Sequence, residues 1–297
     1  MSDNATGRIV AFGDVIDDVV AMPYEKIRED TDTPASIGFR AGGSAANTAA
    51  WLGSLGAAVD FVGIVGEYDL ARHTGLLEKS GVMAHLRAHP TLTTGTIVII
   101  VEGDKRTMLT ERGANSELDP DDVTDDLLAG ASVLHLTGHA LLNSAGSDGF
   151  GSLIARAAKA GVSVSVDPGS AGFITDYGVD EFLAAISGAS MLFPSLDEGK
   201  ALTGLTDPEE IVAELSTTFD TVVLTMGTSG VVISHHGTTL IIPAVSVPIV
   251  DPTGAGDAFC AGFLDEWIRS ADLAASASAG ARVAATAVGL IGGRPHP

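Results

Sequence analysis

Short apolar runs alternate along this chain with longer segments whose apolar residues recur at helical spacing. The runs at residues 8–12, 59–65, 132–136, 162–166 and 221–225 read as strands, the first ending at Gly13 and the fourth at Asp167-Pro168. Between them, residues 45–55, 70–80 and 152–160 read as helices, the first two closed by Gly56 and Gly81. Asp119-Pro120-Asp121-Asp122 begins a short acidic helix, and residues 197–202 form another. The chain closes with helices over 258–269 and over an alanine-rich 274–290. This alternation predicts βαβ units, a mostly parallel sheet flanked by helices, and an α/β fold in a single domain over residues 1–297.

Two hairpins interrupt the pattern. One pairs residues 96–101 with 106–110 across a turn at 102–105, and the other pairs 231–234 with 239–243. Residues 34–40 are a further extended piece. The first hairpin fits an ordinary place in the main sheet and fits equally a small separate sheet, which would have to cover something to be stable.

Into this frame the sequence sets Asp251-Pro252-Thr253-Gly254-Ala255-Gly256-Asp257-Ala258-Phe259. Pro252 stops the preceding element, and Gly254 and Gly256 allow a sharp turn with close approach to a ligand. A glycine-rich turn at a helix N-terminus presents free N–H groups and the positive end of the helix dipole, which suits phosphate. Asp257 is out of character there, because a carboxylate repels phosphate. It either takes a proton from an attacking hydroxyl or merely caps the helix.

Two further stretches carry chemistry. Asp14, Asp17 and Asp18 lie just past the first strand, where α/β sheets bind ligands. They suit sugar hydroxyls or a shared metal, with Asp14 and Asp17 more in keeping with turn and surface positions. In Gly42-Gly43-Ser44-Ala45-Ala46-Asn47 the glycines offer N–H donors and Asn47 both donates and accepts, unless the pair is only a helix entry.

Residues 251–259 resemble, without a break, the C-terminal signature of ribokinase-like (PfkB-type) carbohydrate and nucleoside kinases. Gly42-Gly43-Ser44-Ala45-Ala46-Asn47-Thr48-Ala49 resembles the first signature of the same family, and the resemblance covers essentially the whole chain. It implies a three-layer ribokinase-like fold plus a small β-sheet lid built from excursions at about 15–22, 34–40 and 94–112. It implies an ATP-dependent kinase that phosphorylates a primary hydroxyl of a small sugar. Asp257 would take the hydroxyl proton, while the N–H groups of Gly254, Ala255 and Gly256 stabilise the phosphoryl group. Asp18, Gly42, Gly43 and Asn47 would hold the sugar, and Thr225, Gly227, Gly230 and Thr253 the nucleotide. Glu198 would hold Mg2+ through water, Asp251 would lie at a monovalent cation (K+) site, and the lid would pair two copies as a homodimer. As rivals, a nucleoside kinase of the same family would need aromatic stacking under the lid, where Phe39 is one of few candidates, and a non-catalytic sugar-binding regulator would need no catalysis. Three departures concern charge and metal. Ser44 and Ser229 stand where many members have a basic residue, and Ser195 replaces the Asn of an Asn-x-x-Glu pattern ending at Glu198.

Composition narrows the partners. With 16 basic and 38 acidic residues the net charge is −22, which disfavours nucleic acid and anionic membranes. Cys260 is the only cysteine, so no intrachain disulfide forms and the chain reads as cytoplasmic; Cys260 itself reads as a small buried residue. Residues 1–5 lack the basic and apolar regions of a signal peptide, and no apolar run is long enough to span a bilayer.

Overall fold

The first apolar run forms β1 (Arg8–Phe12), and its side chains divide between two cores. Val10 and Phe12 enter one, Ile9 and Ala11 the other. A strand covered on both faces needs a continuous apolar run, not alternation. The computed structural model describes residues 7–102, 105–141 and 147–295. The expectations for residues 1–5 and for the centre of the 102–105 turn lie outside them.

The other strands are β2 (Ile16–Pro23), β3 (Ala35–Gly42), β4 (Ala58–Gly66), β5 (Met83–His89), β6 (Gly95–Glu102), β7 (Lys105–Glu111), β8 (Ala131–Thr137), β9 (Ser163–Asp167), β10 (Met191–Leu192), β11 (Thr221–Thr225), β12 (Val231–His235) and β13 (Thr238–Ile242). Nine of these form the main sheet in the order β13-β12-β11-β10-β9-β8-β1-β4-β5. It is parallel from β11 to β5, with β12 and β13 returning antiparallel at one edge. One face is covered by α1 (Ser44–Ser54), α2 (Leu70–Lys79) and two long helices near the C-terminus; the other is covered by α3 (Ser147–Lys159) and α4 (Leu196–Thr203). The two long helices are α5 (Ala255–Ser270) and α6 (Leu273–Ala287). Both follow the predicted pattern with moved ends. α5 starts at Ala255 because Gly254 makes the turn into it, and α6 stops at Ala287 because Val288 accepts hydrogen bonds from the N–H groups of Val250 and Asp251. Among the described residues no helix is long and apolar enough to cross a membrane.

The remaining four strands make a second sheet, β3-β2-β6-β7, and the 96–110 hairpin belongs to it and not to the main sheet. Its register sets Val19, Phe39, Val98 and Leu109 in one cross-strand row and Asp18, Arg40, Ile97 and Thr110 in the next. Successive residues of a strand point to opposite faces. Asp18 is buried on the face toward the body of the protein, whereas Phe39 is 73% exposed on the other.

Candidate active site

The 251–257 loop is held from three sides. The Asp251 carboxylate accepts from Thr253 N at 3.0 Å, from Gly292 N at 3.0 Å and from Arg106 Nη2 at 3.1 Å. Burial works to raise Asp251, but these donors outweigh it and hold the carboxyl below the usual range. Gly254 then adopts φ 74°, a left-handed conformation that favours glycine, and α5 begins. No side chain caps this helix. The Ala255 N–H turns back to the Pro252 carbonyl at 3.3 Å, so the donors that the loop leaves open, among the described residues, are those of Gly254, Gly256 and Asp257.

Asp257 sits in the first turn of α5 and is 8% exposed. Its Oδ2 accepts from Asn47 Nδ2 at 2.8 Å. Burial, reinforced by the charge of Asp167, pushes its carboxyl well above the usual range. Asn47 reaches it from the first turn of α1, whose position follows from Gly43 and Asp14. Gly43 enters α1 at φ 95°, where an added Cβ would strike the Asp14 carbonyl. The Asp14 carboxylate accepts from Ser44 N at 3.3 Å and Ala45 N at 3.4 Å. Asp14, expected at the surface, is instead buried beneath the helix entry. Asp17 is a bidentate partner of Arg72 on α2, at 2.8 and 2.6 Å.

Asp18 is also buried and lies against Gly42, which has no room for a side chain beside that carboxylate. Burial raises Asp18 to about 6. Asp18, Gly42, Gly43, Asn47 and Asp257 are thus brought together on one side of the α5 N-terminus. On the other side a cavity of about 620 Å³ opens, lined by Thr225, Gly227, Gly230, Ala255 and Gly256. Most of the remaining lining is small or apolar, including Ala281, Ala284 and Ala285 of α6, with Asp197 as a charged member. Thr253 does not line it; its hydroxyl donates to Asp251 at 2.7 Å and accepts from Arg106 at 3.2 Å.

Glu198 belongs to a capping box at the start of α4. Its Oε2 accepts from Ser195 N at 2.8 Å, and Ser195 Oγ accepts from Glu198 N at 3.3 Å. Ser195 therefore fills the helix-capping position with a hydroxyl. Glu198 is buried and raised by that burial, and Asp167 at the end of β9 is raised by burial and by the charge of Glu198. Glu198, buried, and Asp167, part-buried, are both raised by desolvation and negative neighbours, and together they form an oxygen-only donor set that suits Mg2+, a cation that keeps most of its waters. Among the described residues no ready-made group of three or more ligands is present.

Three participants escaped the sequence reading. Asp167 enters the sequence analysis only as a strand terminus, and Asp14 only as one of three carboxylates suited to sugar hydroxyls or a shared metal but more in keeping with a turn. The third is Arg294, whose Nε donates to Asn47 Oδ1 at 3.2 Å and whose Nη2 donates to the Gly42 carbonyl at 2.6 Å. The signal for Arg294 was indirect: the missing basic residues at 44 and 229, and the Gly292-Gly293 pair that lets the chain press inward. Gly293 packs on Gly254, and its carbonyl accepts from Trp51 Nε1 at 2.9 Å.

The family model described as pfkB family carbohydrate kinase matches residues 6–296. An ATP-dependent ribose-1-phosphate kinase of Halopiger xanaduensis is 31% identical over 300 residues, covering 98% of this chain and 95% of its own. The structure of adenosine kinase from Sinorhizobium meliloti superimposes with a TM-score of 0.88 at 26% identity, covering 99% of this chain and 97% of that one. An E. coli protein solved in complex with ATP and Mg2+ shares the fold at a TM-score of 0.84 and 19% identity, covering 97% of this chain and 94% of that one.

Proposed function

The chain belongs to the pfkB family of carbohydrate kinases, and from that premise we propose that it transfers the terminal phosphoryl group of ATP to a primary hydroxyl of a small sugar. The observation that carries this reading is the position of Asp257. It stands at a helix N-terminus with open N–H donors, is hydrogen-bonded to Asn47, and follows Gly256, which lines a mostly apolar cavity of nucleotide size.

The roles follow from chemistry. Asp257 accepts the proton of the attacking hydroxyl, and Asn47 holds its carboxylate in place. Asp18 and the glycine pair orient the sugar, and orientation supplies much of the rate. Open N–H groups of the 254–257 turn stabilise charge on the phosphoryl oxygens. Thr225, Gly227 and Gly230 form the wall of the nucleotide cavity. Glu198 and Asp167 are the residues that would hold Mg2+, which when bound neutralises charge on the nucleotide phosphates. The second sheet, carrying Asp18, acts as the lid that excludes water.

Three finer readings accompany this one. A monovalent cation, potassium in this reading, sits between the 251–253 loop and the tail, with Asp251 as its nearby charge. The protein pairs through the outer face of the lid, where Ile37 and Phe39 are 61% and 73% exposed. It works in the cytoplasm, where ATP is supplied. A nucleoside acceptor is the second reading, favoured by the likeness to an adenosine kinase. Against it, Phe39 points away from Asp18 and offers no stacking surface to a base.

The test is a coupled ADP-release assay with Mg2+ and ATP against pentoses, hexoses, sugar phosphates and nucleosides, run beside Asp257→Asn. Turnover on a sugar that the substitution abolishes is the expected result. Preference for a nucleoside would replace the acceptor, and ATP binding without turnover on any acceptor would end the kinase reading.

A further inference from the structure

Arg294 is a half-buried arginine whose guanidinium keeps one buried, unfilled donor. Nε and Nη2 are committed to Asn47 and to the Gly42 carbonyl, while Nη1 is buried with no hydrogen-bond partner. Arg294 makes no salt bridge with any described residue. The charges it feels are Asp18, Asp14, Asp17 and Asp257, in that order. Burial lowers its pKa to about 10, so it remains a cation at neutral pH. A buried polar group without a partner is rare in a folded protein and calls for an explanation. A ligand group that arrives later is one.

The position of this cation matters as much as its state. Asn47 joins it directly to the carboxylate of Asp257. Gly293, the residue before it, packs on Gly254 at the turn that presents the open N–H groups. The space around it otherwise holds buried carboxylates at Asp14, Asp18 and Asp257. A phosphoryl group entering it meets negative charge on several sides, and positions 44 and 229, both serine, bring no positive charge. The C-terminal tail brings it instead.

We propose that Arg294 is a phosphoryl-oxygen site, its Nη1 donating to an oxyanion that lies between Asp18 and Asp257. A planar guanidinium fixed by two of its nitrogens presents the third in a defined direction, which a flexible lysine cannot do. Two sources supply such an oxyanion: the phosphoryl group in transit to the sugar, and a phosphate that the sugar already carries. This inference rests on the kinase reading for its second source of evidence, but the phosphate site itself can be measured without turnover.

The first measurement is calorimetric titration of the whole chain with inorganic phosphate, comparing wild type with Arg294→Gln. A loss of tenfold or more in phosphate affinity supports the site, and equal affinity overturns it. The second is steady-state kinetics on a pentose and a pentose phosphate, with Arg294→Lys and Arg294→Ala and with guanidinium ion added to the latter at millimolar concentration. A fall in kcat on both acceptors with little change in KM assigns the oxyanion to the transferred group. A rise in KM confined to the pentose phosphate assigns it to the substrate. Partial rescue of Arg294→Ala by guanidinium supports either assignment, since a residue that only held the tail would not be rescued. Loss of activity that follows the melting temperature, with no rescue, overturns the proposal. Absence of turnover in wild type would count against the kinase reading alone, and the phosphate titration would still decide Arg294.

Discussion

Asn47 donates to Asp257 at 2.8 Å across 210 residues of sequence, and both side chains are buried. Two distant parts of the sequence therefore meet in one hydrogen bond, between a helix that follows two strands of the second sheet and a helix that follows the glycine-rich turn. The bond favours the ionised form of Asp257, against burial and the charge of Asp167. Asp257→Asn should lower kcat by roughly 10²–10⁴, the usual worth of a positioned base. Asn47→Ala should act differently. It removes a donor to the carboxylate, so the acid limb of the kcat/KM profile should move to higher pH. A profile of Asn47→Ala that coincides with wild type would show that the bond does not set the ionisation of Asp257.

The buried carboxylates also make stability depend on pH with an unusual sign. Asp18 is raised to about 6, and Asp257, Asp167 and Glu198 are raised by burial as well. A carboxyl raised in the folded state contributes stability that is complete below its unfolded pKa and is lost as pH rises through the folded one. Each unit of difference is worth ~1.4 kcal/mol. Asp17, Asp69 and Asp251 are lowered and work in the opposite direction, their contribution disappearing only in stronger acid; the buried His135, lowered to about 4, opposes the carboxyls between pH 5 and 7.5, one buried histidine against four carboxyls. The protein without ligands should therefore melt at a higher temperature near pH 5 than at pH 7.5. Mg2+ with ATP should narrow that difference by favouring the ionised carboxylates. Scanning calorimetry across this range checks both, and a melting temperature that rises from pH 5 to pH 7.5 would contradict the first.

The outer face of the second sheet yields a prediction about assembly. Phe39, Ile37 and Leu109 are 73%, 61% and 57% exposed, and Phe39 and Leu109 stand in the same cross-strand row with Val19 and Val98 between them. An apolar sheet face of this kind gains from being covered. Sedimentation should find a dimer in wild type and a shift toward monomer in Phe39→Asp. The substitution lies on the face opposite Asp18, so its direct effect on sugar contacts should be small. A monomeric wild type would remove this role from the second sheet.

How much of this was legible in the sequence depends on the range of the interaction. β1, the helix ends at Gly56 and Gly81, and the turn at 251–257 follow from local pattern and backbone chemistry, and the strand–helix alternation carries the parallel sheet. The resemblance of 42–49 and 251–259 to known signatures named the residues that the fold then brings together around Asp257. The surroundings of Asp14 and Arg294 were not readable, for a common reason. Their surroundings are made by contacts far apart in sequence: Asp14 is buried by α1, and Arg294 is carried inward by a tail packed on Gly254 and Trp51. Nothing in the local pattern of Arg294 distinguishes it from a solvated charge, and for Asp14 the strand end marks a ligand-binding edge without marking burial. Glu198 shows the converse, since its capping box with Ser195 is a local pattern that reads the same whether or not the carboxylate also serves a metal.

Gly293 offers the sharpest test of the tail. An added Cβ there would collide with the Nδ2 of Asn47, the atom that donates to Asp257, and at Gly254 it would meet the Gly293 Cα at 2.5 Å. Gly254 also has φ 74°, so alanine there adds backbone strain to the collision, whereas Gly293 has no such strain. Gly293→Ala should displace Asn47 or the tail and lower kcat by more than tenfold, because misplacement of a positioned group by about 1 Å can cost ~10²-fold. ATP affinity should hold, since neither Gly293 nor Asn47 lines the cavity beside the α5 N-terminus that is proposed to take the nucleotide. Trp51→Phe removes the donor to the Gly293 carbonyl and leaves a buried acceptor unpaired, at a cost of ~1–3 kcal/mol. It should therefore loosen the same contact from the other side, lowering kcat less than Gly293→Ala does. The two changes act on one contact, so the double variant should fall short of the product of the single effects. Full additivity would mean that the tail and Asn47 are not coupled, and would leave Arg294 without a defined place beside Asp257.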